Sequence, residues 1–87
     1  MASHKRPEVE RRLSRIEGHV RSIQRMLQEG RTYPEIVQQI SAVRAALDSV
    51  VQVIVDDLVE DCAKRVERNP TANRTLQELK EVVARTR

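Results

Sequence analysis

Between Pro34 and Pro70 the chain runs 35 residues without a glycine or a proline, and apolar side chains recur through that stretch at helical spacing. Both missing residues interrupt helices, one through excess backbone freedom and the other through a lost donor and a ring clash. Their absence leaves room for a single helix of ~50 Å at ~1.5 Å rise per residue. Nothing else in 87 residues is long enough to cover it. The spacing therefore predicts that another copy of the chain shields what remains. The valine-rich part beyond residue 50 (Val51, Val53, Val55, Val59) is the expected contact.

Two shorter helices flank the long one. The first is expected from about Pro7, a residue tolerated in a first turn. Val9, Leu13, Ile16, Val20, Ile23 and Leu27 then follow at spacings of 4 and 3, a heptad seam. Gly30 is a good stop, because glycine takes the left-handed conformation without steric cost. Gly18 lies mid-helix, where close approach of a neighbouring helix is the first explanation and a ligand the second. The long helix opens with Thr32-Tyr33-Pro34-Glu35, which reads as a capping box with Glu35 reaching back. Its seam is Ile36, Ile40, Val43, Leu47, Val50, Ile54 and Leu58. Asn69-Pro70 ends it. A short third helix carries Leu76, Leu79 and Val83. The fold class is thus all-α, short–long–short, in one domain over 1–87 with residues 1–6 mobile.

The totals exclude several classes. There is no phenylalanine or tryptophan and only one tyrosine, so the chain lacks aromatics on which unpaired bases could stack. No stretch approaches the ~20 apolar residues of a membrane span, and no apolar signal core opens the chain. One cysteine cannot build a disulfide framework. Together these features predict a cytoplasmic address. No glycine-rich phosphate loop and no nucleophile with a histidine in reach appears, so an enzyme is not expected.

Charge is distributed unevenly. Residues 1–44 hold nine Lys/Arg, most of them arginine, against five acids, whereas residues 45–87 hold seven against eight. Arginine matches phosphate geometry well. Arg11 and Arg15 are four apart, Arg21 and Arg25 likewise, Arg12 precedes Arg15 by three, and Arg44 adds a charge on the long helix. None falls on the apolar seam. The competing reading is a solvated face with Glu8–Arg12 and Glu17–Arg21 pairs. Duplex nucleic acid is the polyanion this half would suit. Cys62 reads first as a small buried hydrophobe and second as a thiolate ligand or reactive thiol. Its neighbours Asp57, Glu60 and Asp61 oppose an acidic thiol but are candidate hard ligands for a divalent ion. His19 is expected at the surface and His4 in the tail.

The residues Arg12-Leu13-Ser14-Arg15-Ile16-Glu17-Gly18-His19-Val20-Arg21-Ser22-Ile23-Gln24-Arg25-Met26-Leu27, with Gln38-Gln39-Ile40-Ser41-Ala42-Val43-Arg44-Ala45-Ala46-Leu47, resemble the CsoR/RcnR/FrmR family of small bacterial repressors. The resemblance covers about residues 8–83. It implies an antiparallel four-helix-bundle dimer, a dimer-of-dimers tetramer, and operator DNA bound by a basic face on which Arg12, Arg15 and Arg44 match family positions; Arg11 and Arg21 join them as DNA-binding candidates from their spacing on the same helix. It also implies an effector that releases the DNA. Copper-sensing members supply one cysteine from one subunit and a histidine and a second cysteine from the other. Those positions are Tyr33, Leu58 and Cys62 in this chain, and Glu78 matches an acid beside the site. Two of three donors are missing, so copper(I), nickel and dithiol chemistry of the family type are not expected. No cofactor can be named; a metal ion held with Cys62, or none, are the alternatives. Two functions follow: a tetrameric DNA-binding repressor with an altered effector site, or a helical co-assembly module that has lost operator binding.

Overall fold

The computed structural model describes residues 5–68 and 73–86, and His4 and the Asn69-Pro70 stop lie outside them. Three helices follow in order: α1 (Arg6–Gln28), α2 (Tyr33–Arg68) and α3 (Asn73–Thr86). Pro7 sits in the first turn of α1 with Glu8 beside it, where a missing donor costs nothing and an acid meets the positive helix end.

The α1–α2 connection is short because α1 ends in a tight cap. Gly30 takes φ +78°. The Gly30 N–H donates to the Leu27 carbonyl at 3.2 Å and the Arg31 N–H to the Met26 carbonyl at 3.0 Å. This pair of bonds is the Schellman arrangement, and it satisfies carbonyls that a helix end leaves open. The capping box is half formed. The Glu35 N–H reaches the Thr32 hydroxyl at 3.5 Å, but the Glu35 carboxylate turns to the Arg31 guanidinium at 2.9 Å rather than back to Thr32. A nearby cation outcompetes a neutral N–H for a carboxylate.

α1 returns along α2 in antiparallel sense. The Lys5 ammonium lies 3.3 Å from a Glu60 oxygen at one end, and His19 Nε2 lies 2.8 Å from the Gln39 side-chain oxygen nearer the other. Ile23, Ile36 and Val43 form the buried cluster between the helices, with Ile16 and Met26 packed on it. His19, expected at the surface, is thus half-buried on this contact. It lies three residues after Ile16 and four before Ile23, which puts it on the inward face.

The apolar seams divide. On α2 every seventh residue, Ile36, Val43, Val50 and then Asp57, is buried. The alternate seam positions Leu13, Val20 and Leu27 of α1 and Ile40 and Leu47 of α2, joined by Val37, remain 41–59% exposed. The expectation that only another copy covers the valines beyond residue 50 is corrected. It fails for Val51, Val53 and Val55, which are half-buried within one chain, whereas Val59 remains 48% exposed. The physical reason is that α3 packs on α2 in addition to α1, within the same chain. The chain is still far from compact. Its radius of gyration is 17.4 Å, against ~12 Å for a compact domain of this length.

Gly18 has no atom within 4 Å of where a β-carbon would stand. Close approach of a neighbouring helix within the chain is therefore not its reason. Gly18→Ala should stabilise α1 by ~1 kcal/mol through helix propensity alone, read as a higher thermal midpoint; a lower midpoint would mean that a neighbour in the assembly needs the space. Ile36→Ala, which empties the buried cluster, should cost ~2–4 kcal/mol in urea titration, and a loss under half a kcal/mol would contradict the packing described.

Candidate nucleic-acid interface and sensor positions

On α1 the residues Arg11, Arg15, Gly18, Ser22 and Arg25 follow at spacings of 4, 3, 4 and 3, so they form one stripe. It lies across the helix from Leu13 and Val20. Arg11, Arg15 and Arg25 are exposed and carry no ion pair among the described residues. Arg44 is exposed in the same condition. The register set by His19 and Gln39 brings Arg44 level with the turn of α1 that holds Arg15.

Two of the arginines are committed within α1. Arg12, half-buried, holds Glu8 at 3.0 Å, and Arg21 holds Glu17 at 3.5 Å. Both are pairs four residues apart on an exposed or half-exposed surface. Such pairs contribute ~0.3–0.5 kcal/mol, so a phosphate could displace either carboxylate at little cost.

The sensor positions are not gathered by one chain. Tyr33 begins α2 and Leu58 lies 25 residues along the same helix, which separates them by ~37 Å at helical rise. Tyr33 is 76% exposed. Leu58 and Cys62, one turn apart, are half-buried and buried, the latter 8% exposed with a free thiol. The reading of Cys62 as a small packed side chain fits that burial.

Leu58 and Glu78 line a cleft of about 880 Å³ at the junction of the three helices. α2 forms its floor with Ile54, Asp57, Leu58 and Asp61; Val9, Glu10 and Leu13 of α1 stand on one side, and Glu78, Glu81 and Val82 of α3 on the other. Arg6, Arg65 and Arg74 complete the lining, with the Arg65 guanidinium 3.2 Å from Asp61.

Asp57, 5% exposed, is the residue that sequence reasoning underrated. The 4-3 seam that runs from Ile54 to Leu58 steps over it. The strict sevenfold repeat of Ile36, Val43 and Val50 points to 57 as the next inward position.

These donors do not fit a metal ion within one chain. No group of three His, Cys, Asp or Glu side chains able to hold one occurs among the described residues. That removes the expectation that Asp57, Glu60 and Asp61 gather with Cys62 around a divalent ion in one chain. Cys62 lies one, two and five residues after Asp61, Glu60 and Asp57, and only residues three or four apart on a helix share a face. Leu58, in addition, offers no lone pair.

Among the described residues no helix is long and apolar enough to cross a membrane. The family model for a metal-sensitive transcriptional repressor matches residues 5–85. The copper-sensing transcriptional repressor RicR of Mycobacterium tuberculosis is 39% identical over 77 residues, covering 86% of this chain and 80% of that protein. The copper-sensing transcriptional repressor CsoR of Bacillus subtilis is 33% identical over 81 residues, covering 93% and 80%. The solved structure of the nickel-responsive transcriptional regulator InrS superposes with a TM-score of 0.84 at 39% identity, covering 100% of this chain and 98% of that one. These relatives are transcriptional repressors and a regulator, not enzymes. With its three-helix order and a match over nearly its whole length, the chain belongs to the family of metal-sensitive transcriptional repressors.

Proposed function

We propose that this chain is a cytoplasmic repressor that binds double-stranded operator DNA as a homotetramer built from two antiparallel four-helix-bundle dimers. The stripe Arg11, Arg15 and Arg25, exposed and uncommitted, carries the reading. Duplex DNA carries one negative charge per ~1.7 Å of axis, and guanidinium groups that neutralise phosphates release condensed counterions. Arg12, Arg21 and Arg44 extend the same basic surface. A single chain offers too few such groups for tight binding, and assembly multiplies them.

Self-assembly is supported by the exposed half of the seam. Leu13, Val20, Leu27, Ile40 and Leu47 are heptad positions that remain 41–49% exposed in one chain. Apolar side chains in that periodicity drive helix pairing.

The effector site departs from that of the copper-sensing relatives. Tyr33 and Leu58 stand at two of the three expected donor positions, and only Cys62 keeps sulfur. Copper(I) prefers soft thiolate or imidazole donors, so copper(I) control of the kind those relatives are named for is not part of the proposal. A signal read through Cys62 alone, or no metal signal, fits the residues present.

A gel-shift titration with the duplex upstream of the chain's own gene tests the reading. Retardation is expected well below micromolar protein in ~0.1 M salt, as for specific binders generally. No shift at micromolar protein would overturn it. Arg15→Ala and Arg44→Ala should each weaken binding and lower the slope of log affinity against log salt by about 1. An unchanged slope would remove that arginine from the interface.

A further inference from the structure

We propose that His19 and Gln39 are positioning residues for DNA binding: their hydrogen bond fixes the rotation of α1 on α2, and so the direction in which Arg11, Arg15 and Arg25 face. The inference rests on the operator reading above and deepens it by naming two residues that act through the arginines rather than on the phosphates.

α1 has two nearly equivalent ways to lie on α2. Ile16 and Ile23 belong to the buried cluster, whereas Leu13, Val20 and Leu27 remain 41–49% exposed beside them. At ~100° per residue the two rows are only ~50° apart around the helix. Aliphatic burial is non-directional, so it discriminates weakly between them. The short connection of residues 29–32 limits sliding of α1 along α2, but a helix held at one end still turns about its own axis.

A polar pair removes the ambiguity. His19 Nε2 lies 2.8 Å from Gln39 Oε1, and both side chains are half-buried. An amide oxygen only accepts, so the imidazole donates. His19 stands three residues after Ile16 and four before Ile23, and Gln39 three after Ile36 and four before Val43. The bond is thus set among the aliphatic side chains of the cluster, where a polar atom that loses its partner has little water to replace it. Hydrogen bonds are also directional. Turning α1 by ~50° to bury the row of Leu13 and Val20 would pull the imidazole off Gln39. A single polar position in an apolar heptad seam selects one packing over its near-equivalents in the same way.

Rotation matters because of what lies one turn away. Arg15 precedes His19 by four residues, and Arg11 and Arg25 share its stripe. All three are exposed and carry no ion pair among the described residues. With no acid to hold these guanidinium groups, the orientation of the helix aims them. Arg44 belongs to α2 and does not follow when α1 turns. Loss of the hydrogen bond therefore disturbs the spacing at which a duplex meets the arginines of both helices.

The test is fluorescence anisotropy on the full chain over ~0.05–0.2 M salt. One probe is the duplex upstream of the chain's own gene; the other is heparin, a polyanion that needs no operator. Circular dichroism and sedimentation velocity on the same samples follow fold and assembly. His19→Ala and Gln39→Ala should each weaken binding about 10-fold at unchanged helix content and assembly. Each should also lower the slope of log affinity against log salt by about 1. His19→Gln, whose amide N–H can donate to the same oxygen, should stay within a few-fold of wild type. In a chain already carrying Arg11→Ala and Arg15→Ala, either change should cost less than about 3-fold more, because the groups it positions are gone. An equal cost in both backgrounds would make His19 and Gln39 merely structural and overturn the inference. So would His19→Ala weakening binding while Gln39→Ala does not, which would put the imidazole on the DNA itself. If His19→Ala fails to fold, Gln39→Ala carries the same test. A wild-type chain that binds heparin with this dependence on Gln39 but shifts no duplex sinks the operator reading alone. Duplex binding that Gln39→Ala leaves at full affinity and slope sinks only the positioning role.

Discussion

The antiparallel packing of α1 on α2 is the contact on which the rest of the molecule depends, because it decides which half of each apolar seam is available for anything else. Ile16, Ile23 and Met26 close on Ile36 and Val43, and the Lys5–Glu60 and His19–Gln39 contacts hold the register. A slip by one helical turn would carry Arg44 away from the level of Arg15 and separate the basic groups of the two helices. It would also move α1 off the floor of the three-helix cleft. The ion pair is exposed and adds little by itself. Burial of the aliphatic cluster is the main stabilising term, at ~25 cal/mol per Å² of apolar surface removed from water.

The same contact leaves half of each apolar seam exposed in one chain. An 87-residue chain drawn out to 57 × 25 × 13 Å exposes a large share of its surface, and small chains have little burial to spare. The aliphatic residues left outside, Leu13, Val20, Leu27, Ile40 and Leu47, repeat at the same heptad interval as those inside. α1 thus carries two apolar faces side by side and an arginine face across from them. Such a helix can pack on its own chain, pack on a second chain and present guanidinium groups outward, all at once.

Chemistry at the sensor positions follows from what stands there. At the positions proposed for the effector site Tyr33 puts an exposed aromatic ring, Leu58 a half-buried aliphatic side chain, and Cys62 a buried thiol. On the proposed reading the neighbourhood lacks a complete ligand set. The fold of the metal-sensitive family is retained around it, which the 0.84 TM-score to InrS expresses.

Much of the secondary structure was legible in the sequence because helices are local. The uninterrupted run to Asn69, Pro7 at the first start and Gly30 at the first stop each act through backbone geometry within a few residues. The arginine faces were legible for the same reason, since spacing fixes which side chains share a side. What the sequence could not decide was how α1 and α3 pack along α2. That depends on contacts between distant segments, and it made the valines beyond residue 50 partly internal. It also made His19 an interhelical residue and put Asp57 on a buried floor. Periodicity located a seam but not its two sides; only the tertiary contact, by burying every seventh residue and leaving the alternates exposed, separated the interior from the surface that remains open.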